Sequence, residues 1–267
     1  MKEARLKAGP LRYVEQGNGP VLLLVHGFPL DHTLWSEQME SFAAHHRVIA
    51  PDLRGFGQSP LPEPVPERFD MAAYAADLAE LLHQLGVAEP ISLAGLSMGG
   101  YVAFAFWKLY PQRVGRLLLI HTRAGSDPPA TVASRQQQAQ IALDQGVEPI
   151  VEGMLPKLCH PDTATHRPDL ENTLRTMMRR STAAGIAAAL RGMAARPDMT
   201  AELARIQVPT LVVAGDGDAL IKEEQTRAMA EAIPGSRYIV IGHAGHLAPL
   251  EQPAAFTAAV ADFLARA

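Results

Sequence analysis

The chain has 267 residues, 48% of them hydrophobic and 19% charged, with a formal net charge of −4 and a single cysteine, Cys159. That length holds one large core or a core with a small insert. The mild charge and the lack of a basic stripe exclude a nucleic-acid partner or a membrane surface, and one cysteine excludes an internal disulfide framework.

No apolar leader follows Met1-Lys2-Glu3-Ala4-Arg5, and the longest apolar run, Val21 to Val25, is far too short to span a bilayer. A cytoplasmic address is the expectation. Strand-like runs then recur along the chain. The first are Leu11 to Glu15, Pro20 to His26 and Arg47 to Pro51. The second of these runs into Gly27-Phe28-Pro29, a loop whose backbone N–H at Phe28 can face a developing negative charge. His26 reads as a buried histidine that props this loop. Asp52 to Ser59 is glycine-rich, but its spacing is not that of a phosphate cradle, and Pro60, Pro62, Pro64 and Pro66 follow instead of a helix. It reads as a turn-forming loop, with Arg54 in a structural ion pair.

Met71 to Leu85 places Met71, Tyr74, Ala75, Leu78, Leu81, Leu82 and Leu85 on one helical face, and Gly86 stops it. The next strand-like run, Ile91 to Ala94, leads into Gly95-Leu96-Ser97-Met98-Gly99-Gly100, and a helical pattern from Tyr101 to Tyr110 follows. A Gly-x-Ser-x-Gly between strand and helix is the setting of a nucleophile elbow. It makes Ser97 the candidate nucleophile, and the Met98 N–H a second oxyanion donor beside that of Phe28.

After the run Arg116 to His121 the composition changes. Residues 123–203 hold 3 of the 16 valines, none of the 15 aromatic residues and 5 of the 10 methionines. Leu170, Thr173, Leu174, Met177 and Met178 share one helical face, and Ile186, Ala189, Leu190 and Met193 share another. We read 123–203 as an all-helical cap inserted into a core made of 1–122 and 204–267. Its Met and Leu stripes read chiefly as internal packing, though flexible methionines also suit an apolar lid. Its 9 acidic residues balance 9 Lys and Arg, which points to a neutral, apolar substrate group. Arg123 is the one cation placed to meet a charged substrate; the competing reading is a solvated loop arginine. Cys159 reads as an ordinary cap residue.

Two strand-like runs remain, Thr210 to Ala214 and Tyr238 to Ile241. The first leads into Gly215-Asp216-Gly217-Asp218. Asp218, where the loop has cleared the strand, is the preferred acid, and Asp216 reads as a turn residue. The second leads into Gly242-His243-Ala244-Gly245-His246-Leu247, where His246 is preferred over His243 as the base. The two histidines lack matched third and fourth zinc ligands. Continuous Val/Leu/Ile runs alternating with helices give an α/β fold, its mostly parallel sheet covered on both faces.

Taken together, His26 to Pro29, Asp52 to Ser59, Gly95 to Gly100, Gly215 to Asp218 and Gly245-His246 resemble the α/β-hydrolase superfamily over the whole chain. The segment around Ser97 is similar to small bacterial carboxylesterases and enol-lactone hydrolases. The resemblance implies an eight-stranded sheet, a triad of Ser97, Asp218 and His246, oxyanion donors at Phe28 and Met98, and a cap after the sixth strand. It implies hydrolysis of a small-molecule ester through an acyl-enzyme, with no metal or organic cofactor. Lactone hydrolysis, carbon–carbon bond hydrolysis and perhydrolysis use the same residues. Serine at 97 argues against dehalogenases and epoxide hydrolases, which carry aspartate there. A ligand-binding protein that keeps the triad is the reading from another class. Phe28, Met98, Arg123, Met154, Met177 and Leu247 are the candidate pocket residues.

Overall fold

A computed structural model describes residues Met1–Arg266. Its sheet has eight strands: β1 (Lys2–Leu6), β2 (Gly9–Gln16), β3 (Val21–Val25), β4 (Arg47–Pro51), β5 (Ile91–Leu96), β6 (Val114–Ile120), β7 (Thr210–Gly215) and β8 (Arg237–Ile241). Their order is β1-β2-β4-β3-β5-β6-β7-β8. The β1/β2 and β2/β4 pairs are antiparallel and the rest are parallel. Seven of these strands match the apolar runs in the sequence. The eighth, β1, lies at the sheet edge and turns only Ala4 and Leu6 inward. With Lys2, Glu3 and Arg5 exposed, it carries no continuous apolar run to be read.

The central strands are mostly apolar because both faces of the sheet are covered. Leu23, Val25, Leu93, Leu117 and Leu119 enter one core layer. Their neighbours Leu22, Leu24, Ala94, Leu118 and Ile120 enter the other. The first layer is closed by α2 (Met71–Gln84) and α3 (Met98–Leu109). The second is closed by α1 (Ser36–Ala43) and the terminal helix α11 (Pro253–Arg266). Each leucine side chain so buried contributes about 1.5–3 kcal/mol. Among the described residues, no helix is long and apolar enough to cross a membrane.

Five helices lie between β6 and β7: α4 (Pro129–Gln145), α5 (Glu148–Leu158), α6 (Pro161–His166), α7 (Pro168–Met178) and α8 (Ala183–Ala194). They fall inside the stretch of altered composition. Hydrogen bonds tie them to loops that leave the carboxyl ends of the strands. Thr182 N–H donates to the Gly55 carbonyl at 3.1 Å, and Phe69 N–H to that of Ala188 at 3.1 Å. Arg180 Nε donates to Asp31 Oδ2 at 2.6 Å, and His246 N–H to the Leu158 carbonyl at 2.9 Å. The helices between β6 and β7 are therefore fastened to the loops at the carboxyl ends of the strands. Two further helices, α9 (Glu223–Ala232) and the short α10 (Ala248–Glu251), complete the chain around β8.

Candidate active site

Ser97 sits between β5 and α3 with φ 55° and ψ −115°. That backbone costs a non-glycine residue about 1–3 kcal/mol and must be held from outside. Ser97 N–H donates to the Ile120 carbonyl at 2.9 Å, and Thr122 Oγ1 donates to the Ser97 carbonyl at 2.9 Å. The flanking glycines let strand and helix cross. A Cβ on Gly95 would lie 2.2 Å from the Gly99 carbonyl oxygen, and one on Gly99 would lie 2.3 Å from that of Val25. A larger residue at either position would push the serine off the strand end.

The N–H groups of Phe28 and Met98 donate to no backbone carbonyl among the described residues. The loop carrying Phe28 is braced by His26, which is fully buried. Its Nδ1 donates to the Gly27 carbonyl at 2.9 Å, and its Nε2 accepts from Leu53 N–H at 2.9 Å. Burial pushes the His26 imidazole below its ordinary pKa, so it stays neutral and serves as a strut. Arg54 is also fully buried, with Nε 2.6 Å from Asp77 Oδ2. The glycine-rich loop is thus pinned to α2 by an ion pair.

His246 and Asp218 meet on two loops that the sequence separates by a strand and a helix. His246 Nδ1 donates to Asp218 Oδ2 at 2.8 Å, and both side chains are only 2% exposed. The other carboxylate oxygen, Asp218 Oδ1, accepts the N–H groups of Leu220 at 2.8 Å and Ile221 at 2.9 Å. Burial alone would raise the Asp218 pKa. The His246 and His121 rings, through their electrostatic field and the hydrogen bonds they donate, outweigh it and hold the group far below the usual carboxylate range. The His246 loop is fastened by Glu251, whose Oε1 accepts Gly245 N–H at 2.9 Å and Leu247 N–H at 3.1 Å. The rivals stand apart. His243 is largely exposed beside Asp162, and Asp216 caps the turn through His243 N–H at 3.0 Å and Ala244 N–H at 3.2 Å.

His121, which sequence reading missed, donates from Nδ1 to the same Asp218 oxygen at 3.0 Å. It lies just past β6 with φ 47° and is fully buried. Its ring packs edge-on against His246, with centroids 5.6 Å apart. Burial lowers its pKa, so it is a neutral donor. The available signal was a polar residue directly after a central strand, where functional groups gather in open α/β sheets.

Ser97 opens onto a cavity of about 250 Å³ that Phe28, Arg123 and Met154 also line. Three other candidate pocket residues are not among its walls. Met98, the first residue of α3, is fully buried in the first core layer. Met177 and Leu247 are packed in the second layer, the former with Leu170, Leu174 and Met178 of its own helix stripe. Apolar side chains at helical spacing found each other rather than the cavity. Nor is the cavity the neutral, apolar one expected from the cap's balanced charge. Arg123, Arg135 and Lys157 line it together with Thr131, Ser134 and Gln138. Arg123 is not a solvated loop arginine either: its side chain is 17% exposed and is bonded to the buried Asp127.

Two sets of side chains approach metal-binding spacing, His121 with Asp218 and His246, and Asp31 with His32 and Asp52. In the first, both Nδ1 atoms are spent on one carboxylate oxygen. In the second, Asp31 is engaged by Arg180 and Thr33, and Asp52 accepts from His32 at 2.7 Å. In each set the side chains are hydrogen-bonded to one another or to neighbouring groups, as structural clusters are. The Cys159 thiol is pushed up to about 12 by burial, with Glu251 and Glu171 nearby, which leaves it protonated and unreactive.

The family described as alpha/beta hydrolase fold matches residues 20–253. A thermophilic esterase from Thermogutta terrifontis, solved with malate bound, is 41% identical, with a TM-score of 0.95 over 100% of this chain and 99% of its own. The enol-lactonase from Burkholderia xenovorans LB400 is 28% identical, with a TM-score of 0.91 over 99% and 100%. A 2-hydroxy-6-oxo-2,4-heptadienoate hydrolase from Pseudomonas putida is 28% identical over 93% of this chain and 90% of its own. With hydrolases as its relatives and its sheet order and strand-end loops in place, the chain belongs to the α/β-hydrolase fold family and is a hydrolase of that family.

Proposed function

We propose that the chain is a serine hydrolase that cleaves carboxylic esters through an acyl-enzyme on Ser97, with 123–203 acting as a cap over the site. Two observations carry this reading: the buried His246–Asp218 hydrogen bond, and a serine held on a strained turn at the end of β5. Serine is a weak nucleophile until a base takes its proton. His246 accepts that proton at Nε2 while Ser97 Oγ bonds to the carbonyl carbon. Asp218 holds the imidazole in the Nδ1–H tautomer and stabilises the imidazolium. The N–H groups of Phe28 and Met98 receive the oxyanion, each contributing about 3–4 kcal/mol. His246 then protonates the leaving alcohol and activates the water that frees the acid. Every step is carried by side chains and backbone of this chain, so the proposal needs no metal or organic cofactor.

The test is turnover of p-nitrophenyl esters from acetate to decanoate by the wild type and Ser97→Ala, with fluorophosphonate labelling of the folded wild type. Turnover that vanishes in the variant, with label on Ser97, supports the reading. Labelling of Ser97 without ester turnover would move the assignment to lactones, carbon–carbon substrates or perhydrolysis. No labelling would favour a ligand-binding role.

A further inference from the structure

The cavity above Ser97 has a charge imbalance that the composition of the cap conceals. Helix α4 turns Thr131, Ser134, Arg135 and Gln138 into it. These positions stand at i, i+3, i+4 and i+7, one continuous polar stripe. A polar stripe on a helix ordinarily faces water, but this one faces the candidate nucleophile. Arg123 and Lys157 add two more cationic side chains to the same wall, and among the described residues no carboxylate lines the cavity.

The cations are fixed from behind. The Asp127 side chain is fully buried and pairs with Arg123, with Arg135 Nε at 2.6 Å and with Arg196 Nη1 at 2.8 Å. One carboxylate thus holds three guanidinium groups, and two positive charges stay uncompensated within the cluster. Lys157 at the rim raises the excess. Arg123 Nε is buried without a hydrogen-bond partner among the described residues. Buried positive charge without a counter-ion is costly unless an anion completes it. Arginine forks held at a fixed angle are suited to a planar carboxylate.

We infer that the substrate is a monoanion, an ester or lactone bearing a free carboxylate remote from the bond that Ser97 attacks, and that Arg123, Arg135 and Lys157 hold that carboxylate. The inference rests on Ser97 being the nucleophile. Ser97 Oγ forms its bond to the ester carbon and the C–O bond to the alcohol breaks. The proton passes through His246 to the leaving oxygen, and water then releases a dicarboxylate product. The remote carboxylate is unchanged throughout. It fixes which end of the acyl chain lies over the serine.

The experiment compares mono-p-nitrophenyl glutarate and adipate with the same esters whose free acid is methyl-capped. At low salt the wild type is expected to favour the anionic ester by about tenfold or more in kcat/KM, and the ratio should fall several-fold in 0.5 M salt through screening. Arg135→Met should collapse the ratio mainly through KM, and Lys157→Met, an exposed change with little folding risk, should lower it less. In the wild type, glutarate should protect Ser97 from a fluorophosphonate while dimethyl glutarate does not. Equal or better turnover of the capped ester, lost in Ser97→Ala, would overturn the charge reading and leave the serine mechanism standing. Turnover that survives in Ser97→Ala would overturn the serine mechanism, and the charge reading with it.

Discussion

His121 and His246 donate to the same oxygen of Asp218, at 3.0 and 2.8 Å. His121 therefore keeps Asp218 ionised and fixes the carboxylate that orients His246. Removing the donor frees that carboxylate to turn, so the imidazole is held less firmly. His121→Leu is expected to lower kcat about threefold to tenfold with KM little changed, a loss of roughly 0.5–1.5 kcal/mol as for one hydrogen bond. His121→Asn, which retains an N–H donor, should restore most of the kcat. Values of kcat for both variants equal to that of the wild type would show that His121 only fills space.

The strained turn at Ser97 predicts opposite effects on stability and activity. Its φ of 55° lies where glycine is at ease and serine is not. Ser97→Gly should raise stability by about 1 kcal/mol, the relieved strain less glycine's extra freedom in the unfolded chain. Ester turnover should be lost. Urea unfolding of the variant beside the wild type decides it, and a destabilised variant would mean that the side chain, not the backbone, holds the turn.

Gly55 and Gly185 form a close backbone seam between α8 and the loop that follows β4. A Cβ on Gly185 would lie 2.3 Å from the Gly55 carbonyl oxygen and 2.6 Å from its Cα. Neither is the tip of a flexible side chain, so the backbone must move. Gly185→Ala is expected to cost about 1–3 kcal/mol and to raise KM by unseating α8 from the strand-end loops. Gly153 is the control. It lies within α5, and an added Cβ would meet nothing within 4 Å. Gly153→Ala should be neutral or gain about 0.4–1 kcal/mol. Equal thermal shifts in the two variants would refute the seam.

What the sequence revealed and what it hid follow one physical rule. Strands buried on both faces are apolar at nearly every position, so β3, β5, β6 and β7 are visible as runs despite Ser92, Arg116 and Thr210 near their amino ends. The Ser97 turn is visible because only glycine fits at 95 and 99. Asp218 and His246 were legible because each follows a strand end in an order that a known fold repeats. His121, Asp127 and Arg135 had no such local mark. A polar side chain's role depends on what the folded chain brings to it, and the α4 stripe reads as a solvent face until Ser97 is placed beneath it. Met177 and Leu247 were misplaced for the converse reason, since an apolar residue on a stripe packs wherever the nearest apolar surface lies.

Asp127 joins stability to the cavity's charge, and its titration gives that link a sign. The arginines around it outweigh the effect of burial and lower its pKa to about 2. The unfolded chain takes up the proton near the ordinary value, so between roughly pH 4 and 2 the unfolded state binds more protons and stability rises with pH. The contribution, on the order of 2–2.5 kcal/mol, is fully present above the unfolded value and is lost as pH falls through the folded one. Asp127→Asn imitates the protonated form in shape but leaves three guanidinium groups without their counter-ion. At pH 7 it is expected to cost about 3 kcal/mol, as breaking a buried pair does. The gap between variant and wild type should hold from pH 7 to 5 and narrow as urea unfolding is repeated at pH 4, 3 and 2, because the wild-type carboxyl approaches the neutral state that asparagine already has. A gap that stays constant from pH 7 to 2 would mean that the cluster is held by packing and not by charge.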